Sequence, residues 1–219
     1  MAVESRAVSI EQKKERQQQI IATTRKFFEQ SDFHGISMEQ IARDAGLAKG
    51  TVFFYFKTKE ELFLAFTQEE ITKWHDTIDK QLSDLVKNGQ TFDLESFADF
   101  LATSLAAHTI LLRLVNIIGS VLERNISFTA ALEFKKYLRR RIFTTGRKFE
   151  ECLPVLKEGE GVKLWMVSYF LMSGIVPMAF PAGHVPDVFK EPGMEIFHIE
   201  FRQTFKEMLL TNMHGWLRT

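Results

Sequence analysis

A single cysteine, Cys152, stands in a chain of 219 residues. No disulfide can close within the chain and no cysteine-built metal cluster can form, which fits a reducing compartment and leads us to expect a cytoplasmic protein. Net charge is missing too: 28 Lys and Arg meet 28 Asp and Glu. Bulk charge therefore recruits no polyanion, and any nucleic-acid contact has to come from local placement. Residues 1–60 hold ten basic and eight acidic side chains, a weak surplus. The opening stretch ESRAVSIEQKKERQQQ has no apolar run, so no secretory leader is expected. The sequence has no H-E-x-x-H, P-loop, G-x-G-x-x-G or G-x-S-x-G pattern, and its six histidines are scattered. We expect no enzyme, no bound metal and no cofactor.

Long uncharged runs reduce to one. Leu164 to Pro186 carries no Asp, Glu, Lys or Arg, and a membrane span needs about 20 apolar residues. Ser168, Ser173, Gly174, Pro177 and Pro181 interrupt it. A helix buried inside the protein or between subunits is expected, not a span.

What the chain does have is phenylalanine, 21 residues against 3 tyrosines, and apolar residues recurring at three and four spacing almost throughout. No strand-like alternation persists, which predicts an all-α protein. Helices are expected over about Ile10–Gln30, Met38–Ala45, Ala48 to Phe56 or Lys57, and Thr58 to about Lys87. Further helices are expected over Asp93–His108, Thr109–Arg124, Ser127–Cys152, Val162–Phe180 and Met194–Leu210 or beyond. Ser37 with Gln40, and Thr58 with Glu61, read as capping boxes. Gly46 supplies the left-handed stop of the second helix.

The chemistry concentrates in AKGTVFFYFKTKEEL, residues 48–62. Two short helices joined by Ala45-Gly46-Leu47 make a helix-turn-helix, whose second helix lies in the DNA major groove. A helix turns about 100° per residue. With Val52 on the core side, Phe56 falls there too, Phe53 sits at the border, and Gly50, Thr51, Phe54 and Tyr55 fall outside. Gly50 permits close backbone approach, and Thr51 can bond a phosphate or base. Tyr55 can donate to a phosphate, and Phe54 can touch a thymine methyl. Lys49 opens this helix, and Lys57 and Lys59 flank the start of the next, where free amides favour anions. A helical hairpin without a DNA role would have to leave Phe54 exposed to no purpose.

IARDAGLAKGTVFFYFKTKEEL also resembles the DNA-binding signature of the tetracycline-repressor (TetR/AcrR) family over about Ile20 to Phe66. The resemblance rests on Phe27-Phe28, Gly35, Ile41-Ala42, Ala45-Gly46, Gly50-Thr51, the aromatic run, Lys59 and Leu62. It implies that Lys49, Thr51, Phe54, Tyr55 and Lys59 touch DNA; Ser37, Gly50 and Lys57 complete the expected DNA-binding set. Phe53 stands where the family usually has Tyr, which removes a phosphate contact, and Ala48 stands where Ser or Thr often caps the recognition helix.

The resemblance implies an N-terminal three-helix domain, residues 1–57, joined to a helical ligand-binding and dimerisation domain, 58–219. In the second domain dense apolar residues predict a pocket for an apolar effector. The candidates are Phe63, Phe66, Trp74, Phe97, Phe100, Leu101, His108, Leu111, Val115, Ile118, Phe134, Tyr137 and Tyr169, most of which also serve as core. The uncharged helix and the last helix are expected to form the homodimer interface. The expected partners are thus a double-stranded DNA operator, a small apolar effector and a second copy of the chain. The rival reading is an all-helical carrier of lipids or other apolar molecules, which would need no cluster of Lys49, Thr51 and Lys59.

Overall fold

The computed structural model describes residues 2–181 and 183–217, with side chains from residue 11 on. Among the described residues every regular element is helical. In chain order they are α1 (Ala2–Gln30), α2 (Met38–Asp44), α3 (Lys49–Tyr55), α4 (Lys59–Lys87), α5 (Leu94–Ala106) and α6 (Thr109–Ile117). There follow α7 (Phe128–Cys152), α8 (Glu160–Ala179), the single turn α9 (Val185–Val188) and α10 (Phe201–Leu217). The all-α expectation holds. Backbone contacts divide the chain into two compact units, Met1–Glu69 with Ile118–Ala131, and Glu70–Ile117 with Leu132–Thr219.

Two expected helices have other bounds than their periodicity suggests. α6 stops at Ile117, and only a 3-10 turn, Leu122–Arg124, resumes it. Gly119 weakens the helix between them, and Leu122 is buried. The last helix starts at Phe201, not Met194. The Glu200 carboxylate accepts from the Arg202 amide at 3.0 Å and the Gln203 amide at 2.6 Å, so it satisfies the free donors of the first turn. α1, by contrast, begins well before Ile10.

In the first unit a cluster of rings forms the core. Phe63 lies 4.9 Å from Phe33, 5.6 Å from Phe28 and 6.1 Å from Phe66, all edge to face. Such pairs add about 0.5–1.5 kcal/mol each beyond their area burial. This cluster welds the first turns of α4 to α1 and to the loop before α2.

In the second unit α4 and α7 are joined by a polar seam. Tyr137 Oη lies 2.7 Å from Thr72 Oγ1. Arg141 donates to the Thr72 carbonyl at 3.1 Å and pairs with Asp76. His75 Nδ1 meets Thr145 Oγ1 at 2.7 Å, and Lys148 donates to the Asp79 carbonyl at 3.0 Å. The partners step by three or four residues on both helices, as neighbours on a helix face must. Arg141 of the basic run 139–141 is thus half-buried and paired, and Arg139 lies 5.0 Å from the Phe143 ring. Gly146 of α7 and Gly161 of α8 approach so closely that a Cβ on Gly161 would lie 1.9 Å from the Gly146 carbonyl oxygen.

Candidate nucleic-acid interface

The reading helix is positioned from its own ends inward. Ser37 closes the predicted box before α2: its Oγ accepts from the Gln40 amide at 3.2 Å, and Gln40 Oε1 accepts from the Ser37 amide at 2.8 Å. Gly46 takes the left-handed conformation, φ 65°, and turns the chain toward α3. Gln19 of α1 donates to the Ala45 carbonyl at 2.8 Å and fixes that turn. α3 begins after Ala48, which offers no side-chain cap.

Within α3, Val52 is fully buried and Phe56, just past its end, is buried as well. Phe54 is 64% exposed, Gly50 is exposed, and Thr51, Phe53 and Tyr55 are half-buried. The Phe54 ring packs edge to face on Tyr55 at 5.3 Å. Two cations flank it, Lys57 Nζ at 6.0 Å and Lys13 Nζ at 5.6 Å from the ring centroid. Lys13, on the early part of α1, was not among the residues read from the sequence. Its spacing from the motif carries no signal, and only the packing of α1 brings it to Phe54.

The other lysines differ in their freedom. Lys49 is exposed and pairs with Glu39 of α2, whose carboxyl is held below its usual range by that hydrogen bond. Lys57 is exposed. Lys59 is half-buried: Nζ donates to the Ile36 carbonyl at 2.6 Å and lies 4.1 Å over the Phe33 ring. Burial lowers its pKa. One of its three donors is therefore spent on the loop before α2, so Lys59 also serves as an internal tie.

Thr58 opens α4. Its Oγ1 accepts from the Glu61 amide at 3.1 Å and donates to the Asn125 carbonyl at 3.1 Å, while Glu61 reaches the Lys57 amide at 3.1 Å. Asn125 Nδ2 donates to Glu60 at 3.2 Å. The start of the helix that follows the reading head is thereby tied to the segment 118–131.

Two sequence profiles fit this arrangement. Residues 20–66 match the bacterial regulatory proteins of the tetR family, and residues 68–219 match the tetracyclin repressor-like C-terminal domain. The chain belongs to the TetR family. Over 70 residues it is 37% identical to the HTH-type transcriptional regulator RutR of Escherichia coli K12, a stretch spanning 32% of this chain and 31% of RutR. Two solved structures share the fold. A TetR-family regulator from Mesorhizobium loti superposes with TM-score 0.53 at 19% identity, covering 94% of this chain and 96% of that one. FadR from Bacillus subtilis, solved with stearoyl-CoA, superposes with TM-score 0.51 at 18% identity, covering 90% and 99%.

The candidate effector residues of this TetR-family chain fall in both units. Phe63, Phe66 and Ile118 are buried in the first unit. In the second, Phe97 packs at 5.0 Å on Phe149, and half-buried Phe100 lies 5.1 Å from Phe92. Leu101, Leu111, Val115 and Phe134 are buried. Trp74 donates to Ser104 at 3.0 Å, and His108 Nδ1 lies 2.8 Å from the Ser104 carbonyl. Tyr137 joins the α4–α7 seam, and Tyr169 stacks on Trp165 at 6.1 Å. Cys152 is buried against the Leu82 carbonyl, and burial pushes its thiol up to about 11, which leaves it unreactive.

An apolar groove runs between α8 and α10. Its volume is about 390 Å³, and Phe170, Gly174, Ile175, Met178, Ile199 and Met208 are among its walls. Phe170, Met178 and Met208 are 60%, 42% and 47% exposed. α8 is also long and apolar enough to cross a membrane, with 33% of its most apolar window buried.

Proposed function

We propose that this chain is a ligand-responsive repressor that binds a palindromic operator as a homodimer and is released by a small apolar effector. The observation that carries the reading is Phe54: a large apolar ring left exposed on α3, with Gly50 and Thr51 on the same helix and Lys13 and Lys57 over its faces. An exposed aromatic flanked by cations suits a base edge lined by phosphates. Ser37, Lys49, Tyr55 and Lys57 supply the orienting phosphate contacts, and Lys59 contributes with the donors its internal bond leaves over.

In this reading residues 1–57 form the reading head, and 58–219 bind effector and partner. The exposed apolar side chains Phe170, Met178 and Met208 along α8 and α10 support a four-helix interface with a second copy. Two heads on one face of a duplex must then sit roughly 34–36 Å apart. The effector enters the second unit and acts on α4, whose N-terminus follows the reading helix directly. It need only prefer the state in which the heads miss that spacing.

Selection from a random-sequence duplex pool tests the reading. Recovered duplexes should carry an inverted repeat, and binding to them should weaken steeply as salt rises. A pool that returns no common sequence would remove the operator reading and favour the carrier.

A further inference from the structure

Among the described residues three buried side-chain nitrogens have no hydrogen-bond partner: His75 Nε2, Trp165 Nε1 and Arg141 Nε. An unpaired buried polar group costs about 1–3 kcal/mol, so a cluster of them calls for an explanation. All three belong to the second unit, on α4, α8 and α7. The imidazole of His75 and the indole of Trp165 are stacked, 6.0 Å apart and 17° from parallel, and Tyr169 continues the stack.

Hydrogen bonding settles which proton His75 carries. Thr145 Oγ1 donates its one proton to the Asp79 carboxylate at 2.9 Å. It can only accept from His75, so Nδ1 at 2.7 Å bears the hydrogen. Burial, reinforced by the Arg141 charge, pushes the His75 pKa down to about 3 and keeps the ring neutral. Nε2 is therefore a bare lone pair, and Trp165 Nε1 is an unmet donor. Arg141, the third group, has its charge matched by Asp76.

We propose that His75 Nε2 and Trp165 Nε1 are the polar anchor of the effector site, and that the effector carries a neutral hydroxyl on an apolar body. This deepens the effector reading above and rests on it. A hydroxyl is the smallest group that both donates to Nε2 and accepts from an indole. A carboxylate, ester or ketone offers acceptors alone and would face the His75 lone pair without a proton between them. An ammonium offers donors alone and would leave the indole unmet. The rings of Trp74, Trp165 and Tyr169 around the pair suit an apolar body. Access requires α4, α7 and α8 to part, which moves α4 as release from DNA demands.

The test uses the full chain, 15N-labelled at histidine, with a set of neutral alcohols and phenols from phenol and 2-naphthol to 1-decanol, and the matched carboxylates. At least one hydroxyl probe should bind and move the His75 Nε2 resonance toward a hydrogen-bonded position, with its carboxylate at least tenfold weaker by calorimetry. His75→Phe should weaken the hydroxyl probe about tenfold, the worth of one hydrogen bond to a buried partner. Trp165→Phe, which keeps a ring in place, should do the same and serves if His75→Phe fails to fold. Any of three results overturns the anchor: carboxylates bind as well as alcohols, both variants keep wild-type affinity, or no hydroxyl probe moves the resonance because water alone satisfies the pair. Carboxylates or other apolar compounds binding with unchanged variants would sink the hydroxyl and leave the effector reading standing. Failure of the repressor reading appears separately, in the duplex selection.

Discussion

Thr58 Oγ1 donates to the backbone carbonyl of Asn125 across 67 positions of sequence. The same oxygen caps the first turn of α4 by accepting from the Glu61 amide. One hydroxyl thus serves helix initiation and a long-range tie. Thr58→Ala should cost about 1–2 kcal/mol of stability, the usual loss for an N-cap. It should also speed amide exchange across residues 118–131. Thermal unfolding and hydrogen exchange read the two effects, and unchanged exchange there would mean the tie holds nothing.

Phe54 is exposed, so its removal should leave the melting temperature almost unmoved. Phe54→Ala is expected to relax sequence preference at one base step of each half-site by about 1–3 kcal/mol. Binding to a panel of single-base operator variants measures this. An unaltered preference profile takes Phe54 off the reading surface.

Lys57 and Lys59 should separate. Lys57→Ala should weaken all duplexes alike, lower the salt slope by about one and leave stability intact. Lys59→Ala should also destabilise the fold, because it deprives the Ile36 carbonyl and the Phe33 ring of their partner. Salt-dependent titrations paired with melting curves check both. Equal melting temperatures for the two variants would contradict the tie.

Charge placed in the groove between α8 and α10 should split the proposed dimer. Met208→Glu buries a carboxylate in any apolar interface there, at a cost of several kcal/mol. Sedimentation should show monomers where the parent chain is dimeric, with operator affinity falling in step. A variant that stays dimeric moves the interface elsewhere.

His75 makes stability depend on pH. Its pKa lies near 3 in the folded chain, against about 6.5 when unfolded. The unfolded chain therefore binds a proton that the folded one refuses. The contribution is complete above about pH 6.5 and drains away as pH falls toward 3, at up to about 1.4 kcal/mol per unit. Denaturant midpoints across that range should fall less steeply for His75→Phe. Parallel profiles would show that His75 is protonated inside the fold.

The local geometry of the helix-turn-helix is legible in the sequence. The Ser37–Gln40 box, the left-handed Gly46 and the outward angle of Phe54 each depend on residues within about four positions of one another, and chain connectivity delivers those neighbours. The end of α6 is not marked locally: Thr109–Arg124 keeps a helical pattern of apolar residues through Gly119, yet α6 stops at Ile117 and Leu122 is buried in a separate turn. The start of α10 is not marked either, because a glutamate at position 200 gives no sign in sequence that it caps a helix. Effector candidates fall in both units, since an apolar residue at helical spacing looks the same in a core, a cavity or an interface.

Sequence alone determined the all-α class, the turn between α2 and α3 and the face that α3 turns outward, because backbone hydrogen bonds and side-chain period act over a few residues. Tertiary structure alone decided that Lys13 meets Phe54, that Lys59 is tied to Ile36, and that α8 and α10 share an open apolar groove. It also decided that His75 and Trp165 stack with a lone pair and a donor unmet. Those contacts join residues 23 to 90 positions apart, and no local preference sets which helix faces another; the packing of whole elements does.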